Sequence, residues 1–277
     1  MVSVCCLAYN HATYIRQCLD SLVNQETNFS FEILIHDDCS TDGTTEIIRE
    51  YESQYPDVIK PIYEVENQYS KGVPVGSFAW NFPRAKGKYI AMCECDDYWT
   101  DSHKLQKQFD FMESHPEHSL CCHAHINVYP DGTSTELHRY STDVEICPIK
   151  DIIMIGGGFM ATNSMFFVTE YILPYPEWAV NAPVGDAAWN LILSYKGKVG
   201  YLNEVMSAYR CSAIGSWSSA LFKSPKKLYI HNKGIRRMYI QYNRWSHWAN
   251  WSIVLRRQLI NELAALKHIL KAWLQNK

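Results

Sequence analysis

The stretch KYIAMCECDDYW, residues 88–99, joins an apolar run to three carboxylates within four residues. An apolar run of this length that ends in charged residues is typical of a buried strand leaving a sheet at its carboxyl end. Several carboxylates this close together require a cation or a polar ligand, because like charges repel. The stretch therefore predicts a buried strand with a ligand site at the edge of its sheet.

Strand-like and helix-like segments alternate through the first hundred residues. Strands are predicted for the apolar runs at 2–8, 31–38, 58–65 and 86–94. Helices are predicted for the amphipathic stretches at 13–25, 41–56 and 76–85. This alternation requires crossover connections, so we expect an α/β fold, a Rossmann-like and mostly parallel sheet with helices on both faces.

Three of the predicted strands end in a cluster that contains polar residues. The clusters are Ala8, Tyr9 and Asn10 after the first strand, Asp37 and Asp38 after the second, and Glu94, Asp96 and Asp97 after the run at 86–94. Ligands of open parallel sheets bind beyond the carboxyl ends of the strands. One aspartate at such a place is typical of a helix cap or a turn, whereas two in succession exceed what a cap requires. We therefore expect the three clusters to form one site.

An oxygen-only cluster indicates a hard cation. Mg²⁺ or Mn²⁺ takes one or two carboxylates and fills its other positions with water and ligand phosphate. Zinc on Cys93 and Cys95 is disfavoured, because C-x-C on a strand lacks the usual ligand spacing, and the CCHAH run at 121–125 is interpreted as a packed strand. The phosphate-binding patterns G-x-x-x-x-G-K-[ST] and G-x-G-x-x-G after a strand are absent from the sequence, so the metal is expected to carry most of a bound diphosphate's charge.

The composition limits the class of protein. A hydrophobic content of 47% is ample for a core, and ten scattered cysteines lack the framework of a small secreted domain. We expect reduced thiols, a cytoplasmic chain and no signal peptide before VSVCCLA. The longest membrane-span candidate, at 152–167, contains three glycines and is too interrupted to span lipid.

Three ordered blocks resemble the signature blocks of family 2 glycosyltransferases, which have the GT-A fold. They are SVCCLAYNHATYIRQCLDSLVNQ (3–25), FEILIHDDCSTDGT (31–44) and GKYIAMCECDDYWTDSHKLQKQ (87–108), and the similarity extends over roughly residues 1–215. It implies transfer of a sugar from a nucleotide diphosphate donor, expected to be UDP-linked. It also implies a nucleotide-sugar half at about 1–100 and an acceptor half at about 101–222 of one catalytic domain, 1–222.

The resemblance assigns roles on the donor side. Asp37 and Asp38 are expected to hold the uridine, with Ala8, Tyr9 and Asn10 also on the donor side. Glu94-Cys95-Asp96 matches the family's D-x-D element, so Asp96 is expected to bind the metal while Glu94 or Asp97 assists around the ribose and diphosphate. The first position of this element is Glu here rather than Asp.

A base is also required, because the acceptor hydroxyl must lose its proton as it attacks the anomeric carbon. The family places this base in a G-D or E-D element that opens a helix, and Gly185-Asp186 before AAWNLILS matches it. Asp186 is therefore the candidate base, with a helix N-cap as the alternative role. A single in-line displacement would invert the anomeric carbon. Gly156–Gly158 is interpreted as a flexible loop on the acceptor side or a plain turn.

The resemblance extends to Tyr209 and Arg210, which match the family's YR element. Arg210 is a candidate for the donor diphosphate, with a structural ion pair as the alternative, and Ser212 stands where many relatives have histidine. Trp99 is expected to bind the acceptor by stacking under its sugar, with a core position as the alternative.

The chain ends in a basic segment. Residues 223–277 hold 12 lysines and arginines and one acid, Glu262, a net charge of +11, whereas residues 1–222 carry −14. Apolar residues recur in this segment at steps of three or four, which predicts an amphipathic helical extension. The alternatives are an interfacial helix on an anionic membrane and packing on the catalytic domain or on a partner subunit of a homo-oligomer. Nucleic acid is not expected as a partner, because the acidic body would repel it.

The sequence thus predicts a metal-dependent enzyme, with Mn²⁺ or Mg²⁺ as cofactor, that moves a sugar from a UDP-linked donor to a glycan or lipid-linked acceptor. It is expected in the cytoplasm, peripheral on the inner face of the membrane. Hydrolysis or pyrophosphoryl chemistry at the same metal is the alternative reaction. A non-catalytic protein that binds sugar nucleotides, or serves as a membrane-surface scaffold, is the alternative class.

Overall fold

One mixed sheet runs through the part of the chain that precedes residue 212. The computed structural model describes residues 1–73, 76–131, 135–211 and 225–275, with the backbone alone for 225–226 and 264–275. The strands are β1 (Val2–Ala8), β2 (Phe31–Asp37), β3 (Ile59–Tyr63), β4 (Tyr89–Met92), β5 (Tyr98–Trp99), β6 (His118–Val128), β7 (Thr135–His138), β8 (Phe166–Val168) and β9 (Lys198–Arg210). They lie in the order β3-β2-β1-β4-β8-β6-β9-β5, and β7 pairs with β6.

Helices cover both faces of this sheet. They are α1 (Ile15–Val23), α2 (Thr44–Gln54), α3 (Ser77–Trp80), α4 (Lys104–Ser114), α5 (Ile149–Ile155), α6 (Thr169–Ile172), α7 (Glu177–Val180) and α8 (Gly185–Lys196). Two further helices, Pro225–Trp245 and Trp251–Gln275, are called here the first and second C-terminal helices.

The predicted parallel arrangement is present in the first half of the sheet. β1 pairs in parallel with β2 and β4, and β2 pairs in parallel with β3. The second half is mixed, because β8 runs antiparallel to β4 and β6 while β9 runs parallel to β6. Regular helices still connect two pairs of strands in this half, α4 between β5 and β6 and α8 between β8 and β9. The antiparallel pairs were not predicted by the alternation in the first hundred residues.

Side-chain alternation along β1 builds two cores, one on each face of the sheet. Val2, Val4 and Cys6 point to the face covered by α1, α2 and α4, while Cys5 points to the face covered by α5 and α8. Successive side chains of a strand face opposite sides, and both sides of β1 are covered. This explains why the strand reads as a continuous apolar run.

The predicted helix at 76–85 is divided in two. The structure has α3 at Ser77–Trp80 and a 3₁₀ turn at Phe82–Arg84. Pro83 accounts for the division, because proline has no amide hydrogen with which to continue the hydrogen bonds of an α-helix. Phe82 consequently points into the core between β8 and α8, where it contacts Phe167 and Trp189 at ring-centroid distances of 5.7 and 5.3 Å.

The C-terminal helices pack on the catalytic part of the chain through one face. The first contacts α7, where Tyr242 lies 6.1 Å from the ring of Trp178, and the second contacts α5. The predicted domain boundary at residue 222 lies outside the described residues and stays a prediction. None of the helices is long and apolar enough to cross a membrane within the described ranges.

Phe82→Ala should destabilise the protein, because the ring is fully buried between β8 and α8. Loss of a buried phenylalanine costs about 3–5 kcal/mol. Urea unfolding measures the effect, with Val65→Ala as the control, since Val65 is 89% exposed. Equal unfolding midpoints for the two variants would contradict this account of the core.

Candidate active site

The acidic loop after β4 remains attached to the sheet beyond the last residue of that strand. The amides of Cys93 and Cys95 donate to the carbonyls of Cys5 and Leu7 on β1, at 3.2 and 3.1 Å. Alternation then turns both thiols into the core on the α1 side. Glu94 points to the opposite side, and its carboxylate accepts a hydrogen bond from the amide of Leu7 at 3.2 Å.

Glu94 and Asp186 lie close enough for their charges to interact. Burial, together with the charges of Asp96 and Asp186, raises the pKa of Glu94 to about 8, although the hydrogen bond from the Leu7 amide opposes the shift. Burial also raises the pKa of Asp186 to about 6, although the amide of Ala187 opposes the shift by donating to its carboxylate. The fold therefore brings together carboxylates that are about 90 residues apart in the sequence.

Asp186 occupies the first turn of α8. The N-cap of this helix is Val184, so Asp186 is not the capping residue, although its carboxylate accepts the Ala187 amide at 2.7 Å. The positive end of the helix dipole stabilises a carboxylate at this place. Gly157 is next to it, since a methyl group on Gly157 would lie 3.9 Å from Oδ1 of Asp186. The glycine run is thus beside the candidate base, and its place on the acceptor side stays a prediction.

Asp97 is a buried anchor for the end of β9. It is 2% exposed, and its carboxylate accepts hydrogen bonds from the amide of Arg210 at 2.8 Å and from Nδ2 of Asn163 at 3.0 Å. Burial raises the pKa of Asp97 well above its ordinary value, and the charge of Asp96 adds to the shift. With both oxygens bonded to the protein, Asp97 is placed to hold the loop in position rather than to contact the ribose or diphosphate directly.

Arg210 connects the acidic loop to α1. Its guanidinium donates to the backbone carbonyl of Asp96 and to the side-chain carbonyl of Gln17. It also lies over the rings of Tyr14 and Tyr98, at 4.9 and 4.7 Å from their centroids. Cation–π contacts of this kind hold the guanidinium in place. Arg210 therefore has a positioning role in this structure. It differs from the predicted ion pair because its hydrogen-bond acceptors are carbonyl oxygens and not carboxylates. Ser212 lies outside the described residues.

Asp37 and Asp38 lie at the carboxyl end of β2, level with Ala8, because Ala8 and Asp37 are register partners. Asp37 accepts from the hydroxyls of Ser40 and Thr45, both at 2.5 Å. Asp38 accepts from the amides of Gln68 and Tyr69 at 2.7 and 3.1 Å, and from Nδ2 of Asn67 at 3.0 Å. The predicted uridine ligands thus also shape the loops around their own site.

The segment after β1 completes this edge of the sheet. Ala8 is 2% exposed and Tyr9 is 46% exposed. Asn10 has a φ of 56°, and its side-chain carbonyl accepts the amide of Thr41 at 2.8 Å, which joins the loops after β1 and β2. The exposed Tyr9 ring is therefore the member of this segment that is free to contact a ligand.

Trp99 has a different environment from the one predicted. It is 3% exposed, its indole nitrogen donates to the carbonyl of Asn163 at 3.1 Å, and the ammonium of Lys104 lies 4.0 Å from its ring centroid. A ring so covered has little surface to offer an acceptor sugar. The structure corrects this assignment in favour of the core position.

Sequence reasoning missed His11 and Asn163. The imidazole of His11 has its pKa lowered by burial, feels the charges of Asp96, Asp42 and Asp37, and leaves its buried Nδ1 without a hydrogen-bond partner. Asn163 is fully buried and joins Asp97 to the carbonyl of Ala208. The position of His11 directly after Asn10 was a signal for the first, whereas no local pattern marks the second.

The residues present fit a hard cation held partly by the donor. Asp96 and Glu94 form no salt bridge with a cationic side chain in the described part of the chain, and both supply oxygen. No three His, Cys, Asp or Glu side chains among the described residues form a ready-made ligand set. Mg²⁺ and Mn²⁺ commonly take few protein ligands and complete their shell with phosphate and water. The thiols of Cys93 and Cys95 are buried in the core, away from Glu94.

The sequence profile described as Glycosyl transferase family 2 matches residues 3–170. The chain belongs to glycosyl transferase family 2. This confirms the predicted family. It is 38% identical over 246 residues to the putative teichuronic acid biosynthesis glycosyltransferase TuaG of Bacillus subtilis, covering 88% of this chain and 92% of that protein. Uncharacterized proteins of Mycobacterium tuberculosis are 34% identical over 225 residues, and the match spans 61% of their length.

Solved structures of two glycosyltransferases share the fold. S. aureus TarS 1–349 in complex with UDP-GlcNAc has a TM-score of 0.65 at 17% identity, over 86% of this chain and 65% of that one. The mannosyltransferase PcManGT from Pyrobaculum calidifontis, in complex with GDP-Man and Mn²⁺, has a TM-score of 0.58 at 15% identity, over 96% of this chain and 75% of that one. The predicted GT-A fold is confirmed.

The raised pKa of Glu94 makes stability depend on pH. Between about pH 4 and pH 8 the folded protein retains a proton on Glu94 that the unfolded chain has released, so stability should fall as the pH rises. We expect the metal-free protein to lose on the order of 3 kcal/mol more than Glu94→Gln between about pH 5 and 8.

Urea unfolding at the two pH values, in the presence of a chelator, measures this loss. Glu46→Gln, on the exposed surface of α2, is the matched control and should follow the wild type. A Glu94→Gln curve parallel to the wild type would contradict the raised pKa.

Proposed function

We propose that this protein transfers a sugar from a UDP-linked donor to a glycan or lipid-linked acceptor, with inversion at the anomeric carbon. The observation that carries the proposal is the meeting of Asp186 with Glu94, which also lies beside Asp96, because it joins a base to the donor edge of the sheet. The family and the fold support a transferase of this class. The ligands of the structural neighbours support a nucleotide-sugar donor, since TarS binds UDP-GlcNAc and PcManGT binds GDP-Man.

Asp186 acts as the general base. Its carboxylate takes the proton from the acceptor hydroxyl while the hydroxyl oxygen forms a bond with the anomeric carbon. The bond from that carbon to the diphosphate oxygen breaks, and its electron pair leaves with UDP. A base with a pKa of about 6 is largely ionised at neutral pH and still accepts a proton in the transition state, and such bases contribute about 10²–10⁴-fold in rate.

Asp96, with Glu94, would hold Mn²⁺ or Mg²⁺ at the donor edge. When bound there, the ion supplies positive charge to the diphosphate leaving group. Asp37 and Asp38 fix the loops on either side of the nucleoside through their contacts with Thr45 and Gln68. Asp97 and Arg210 keep Asp96 in position, because their hydrogen bonds join the acidic loop after β4 to the end of β9.

The names of relatives support a surface-glycan acceptor. TuaG is named for teichuronic acid biosynthesis. A glucosyltransferase of Escherichia coli, WfaP, is named for a diphosphoundecaprenol acceptor and is 36% identical over 114 residues, 41% of this chain. Together with the chain's basic extension, these names support an acceptor presented at a membrane.

The extension supports a place on an anionic membrane surface, on the cytoplasmic side. Its second helix has an exposed apolar stripe of Trp251, Leu255, Leu259 and Leu263, each between 47% and 66% exposed, preceded by Trp248 at 54%. These are the residues whose spacing predicted an amphipathic helix. Because the opposite face packs on α5, both predicted roles of the extension find support in different faces of one helix. Lys233 and Arg237, both exposed, add positive charge on the neighbouring first C-terminal helix.

Asp186→Asn and Asp96→Asn should separate turnover from binding. Asp186→Asn should lower turnover by about 10²–10⁴-fold and spare UDP affinity, because it removes a proton acceptor and no donor contact. Asp96→Asn should weaken UDP binding in the presence of Mn²⁺ and leave metal-free binding unchanged. UDP release from a panel of UDP-sugars and calorimetric UDP titration measure the two effects.

Asp57→Asn is the control, since Asp57 is exposed and precedes β3 at the opposite edge of the sheet. Wild-type turnover in Asp186→Asn would exclude it as the base. UDP binding by the wild type without release from any donor would favour the non-catalytic alternative.

Replacing three residues of the stripe, Trp251→Ser, Leu255→Ser and Leu259→Ser, should release the protein from anionic vesicles. Each large apolar side chain contributes about 1.5–3 kcal/mol when fully buried, so partial insertion of three predicts a loss of at least about tenfold in affinity. Co-sedimentation with phosphatidylglycerol vesicles measures it.

The double variant Val65→Ser and Leu137→Ser is the matched control, because both residues are exposed and apolar but lie outside the extension. Unchanged sedimentation of the triple variant, or equal binding of the wild type to phosphatidylcholine vesicles, would exclude the membrane proposal.

A further inference from the structure

The Gly156–Gly158 loop lies beside Asp186. Because glycine has no side chain, this loop depends on contacts from other segments for its position. Gly157 and Gly158 are exposed, and Gly156 and Gly158 have φ values of 70° and 98°. A methyl group on Gly157 would lie 3.0 Å from Cγ1 of Val184, the residue that caps α8. The loop is therefore packed directly against the turn that carries Asp186.

This loop follows the end of α5, and the last carbonyls of that helix are bound by the C-terminal extension. The hydroxyl of Tyr239 donates to the carbonyl of Ile153 at 3.1 Å. The guanidinium of Arg257 donates to the carbonyls of Met154 and Ile155 at 2.5 and 3.3 Å. Thus three consecutive carbonyls at the end of α5 are satisfied by two side chains that lie more than 80 residues later in the chain.

These contacts are suited to fixing the end of a helix. The last carbonyls of an α-helix have no partner within the helix, and a cation near them interacts favourably with the helix dipole. Tyr239 is 2% exposed, and Nε of Arg257 is buried without a hydrogen-bond partner, so the guanidinium reaches the Met154 and Ile155 carbonyls through its two terminal nitrogens. Gly156 lies between them, since a methyl group there would be 3.3 Å from both Nη2 of Arg257 and the hydroxyl of Tyr239.

The extension also contacts the other side of the base. Gly234 of the first C-terminal helix packs on the ring of Pro183, with 3.2 Å between Cγ of that ring and a methyl group placed on Gly234. Pro183 and Val184 lead directly into α8 and Asp186. Both segments that border the base, the glycine loop and the turn before α8, therefore rest on the extension.

We propose that Arg257 and Tyr239 are positioning residues of the acceptor site, which fix the Gly156–Gly158 loop against Asp186. The C-terminal extension is then part of the catalytic unit, in addition to any contact with a membrane. The inference rests on the proposed role of Asp186 as the base. It assigns the effect to the acceptor side alone, because the donor edge is built by the loops after β1, β2 and β4.

Arg257→Gln tests the proposal, with Arg256→Gln as the matched control, since Arg256 is the exposed neighbour with the same charge. Hydrogen exchange should become at least about tenfold faster in peptides covering 153–160 of Arg257→Gln, and not in the control. UDP release from UDP-glucose and UDP-N-acetylglucosamine with Mn²⁺, in the absence of membranes, should fall at least about tenfold. UDP affinity should not change. Arg257→Lys should restore part of the activity, because an ammonium reaches one of the two carbonyls.

The acid limb of the pH–rate profile is a second measurement. A displaced loop admits water to Asp186, so the limb should move to lower pH in Arg257→Gln, as burial is the main cause of the raised pKa. If Arg257→Gln does not fold, Tyr239→Phe removes one hydroxyl and should show the same changes on a smaller scale.

If peptides covering 153–160 exchange at equal rates in Arg257→Gln and Arg256→Gln, Arg257 does not fix the loop and the proposal is overturned. If exchange becomes faster while turnover and the pH profile stay unchanged, Arg257 holds the loop but the loop does not position Asp186, and the proposed effect on catalysis is overturned. If Asp186→Asn retains full activity, or the wild type releases UDP from no donor, the proposed function fails, while the exchange measurement still decides whether Arg257 holds the loop.

Discussion

Mutual repulsion among carboxylates is the constraint that organises this protein. Glu94, Asp96 and Asp186 meet at one edge of the sheet, and the charges of the other two raise the pKa of Glu94 above the effect of burial. In the metal-free protein, a proton held on Glu94 relieves part of this repulsion below about pH 8, since no cationic side chain of the described residues pairs with Glu94 or Asp96. A cation and the diphosphate it carries would relieve it, so stability and ligand binding are linked at this edge.

The acids of this edge divide into two groups by their partners. Asp37, Asp38 and Asp97 have their oxygens bonded to protein donors, and each fixes a loop. The other three acids, Glu94, Asp96 and Asp186, each keep a carboxylate oxygen open to a ligand or a reacting proton. A site of this kind needs both groups, because an open carboxylate keeps its geometry only when its backbone is held by other contacts. Asn163 and Arg210 contribute to the same end, each through buried or stacked contacts with the acidic loop.

The C-terminal extension uses its two faces differently. Its inner face caps α5 through Arg257 and Tyr239, and its outer face carries the exposed apolar stripe. An amphipathic pattern identifies two faces of a helix but does not assign a partner to either, since the same apolar spacing serves packing and membrane contact. The position of the second C-terminal helix on α5 identifies its packing face and leaves the apolar stripe exposed.

The sequence by itself determined the strands at 2–8 and 31–38, the family and the acidic positions, because these depend on apolar runs and short motifs that local residues encode. Tertiary structure alone decided that Trp99 is buried under Lys104, that Asp97 is an anchor, and that Arg257 lies at the end of α5. Each of these depends on which distant segment covers a side chain, and burial and hydrogen-bond partners of that kind arise from packing across the sheet and not from neighbours in the sequence.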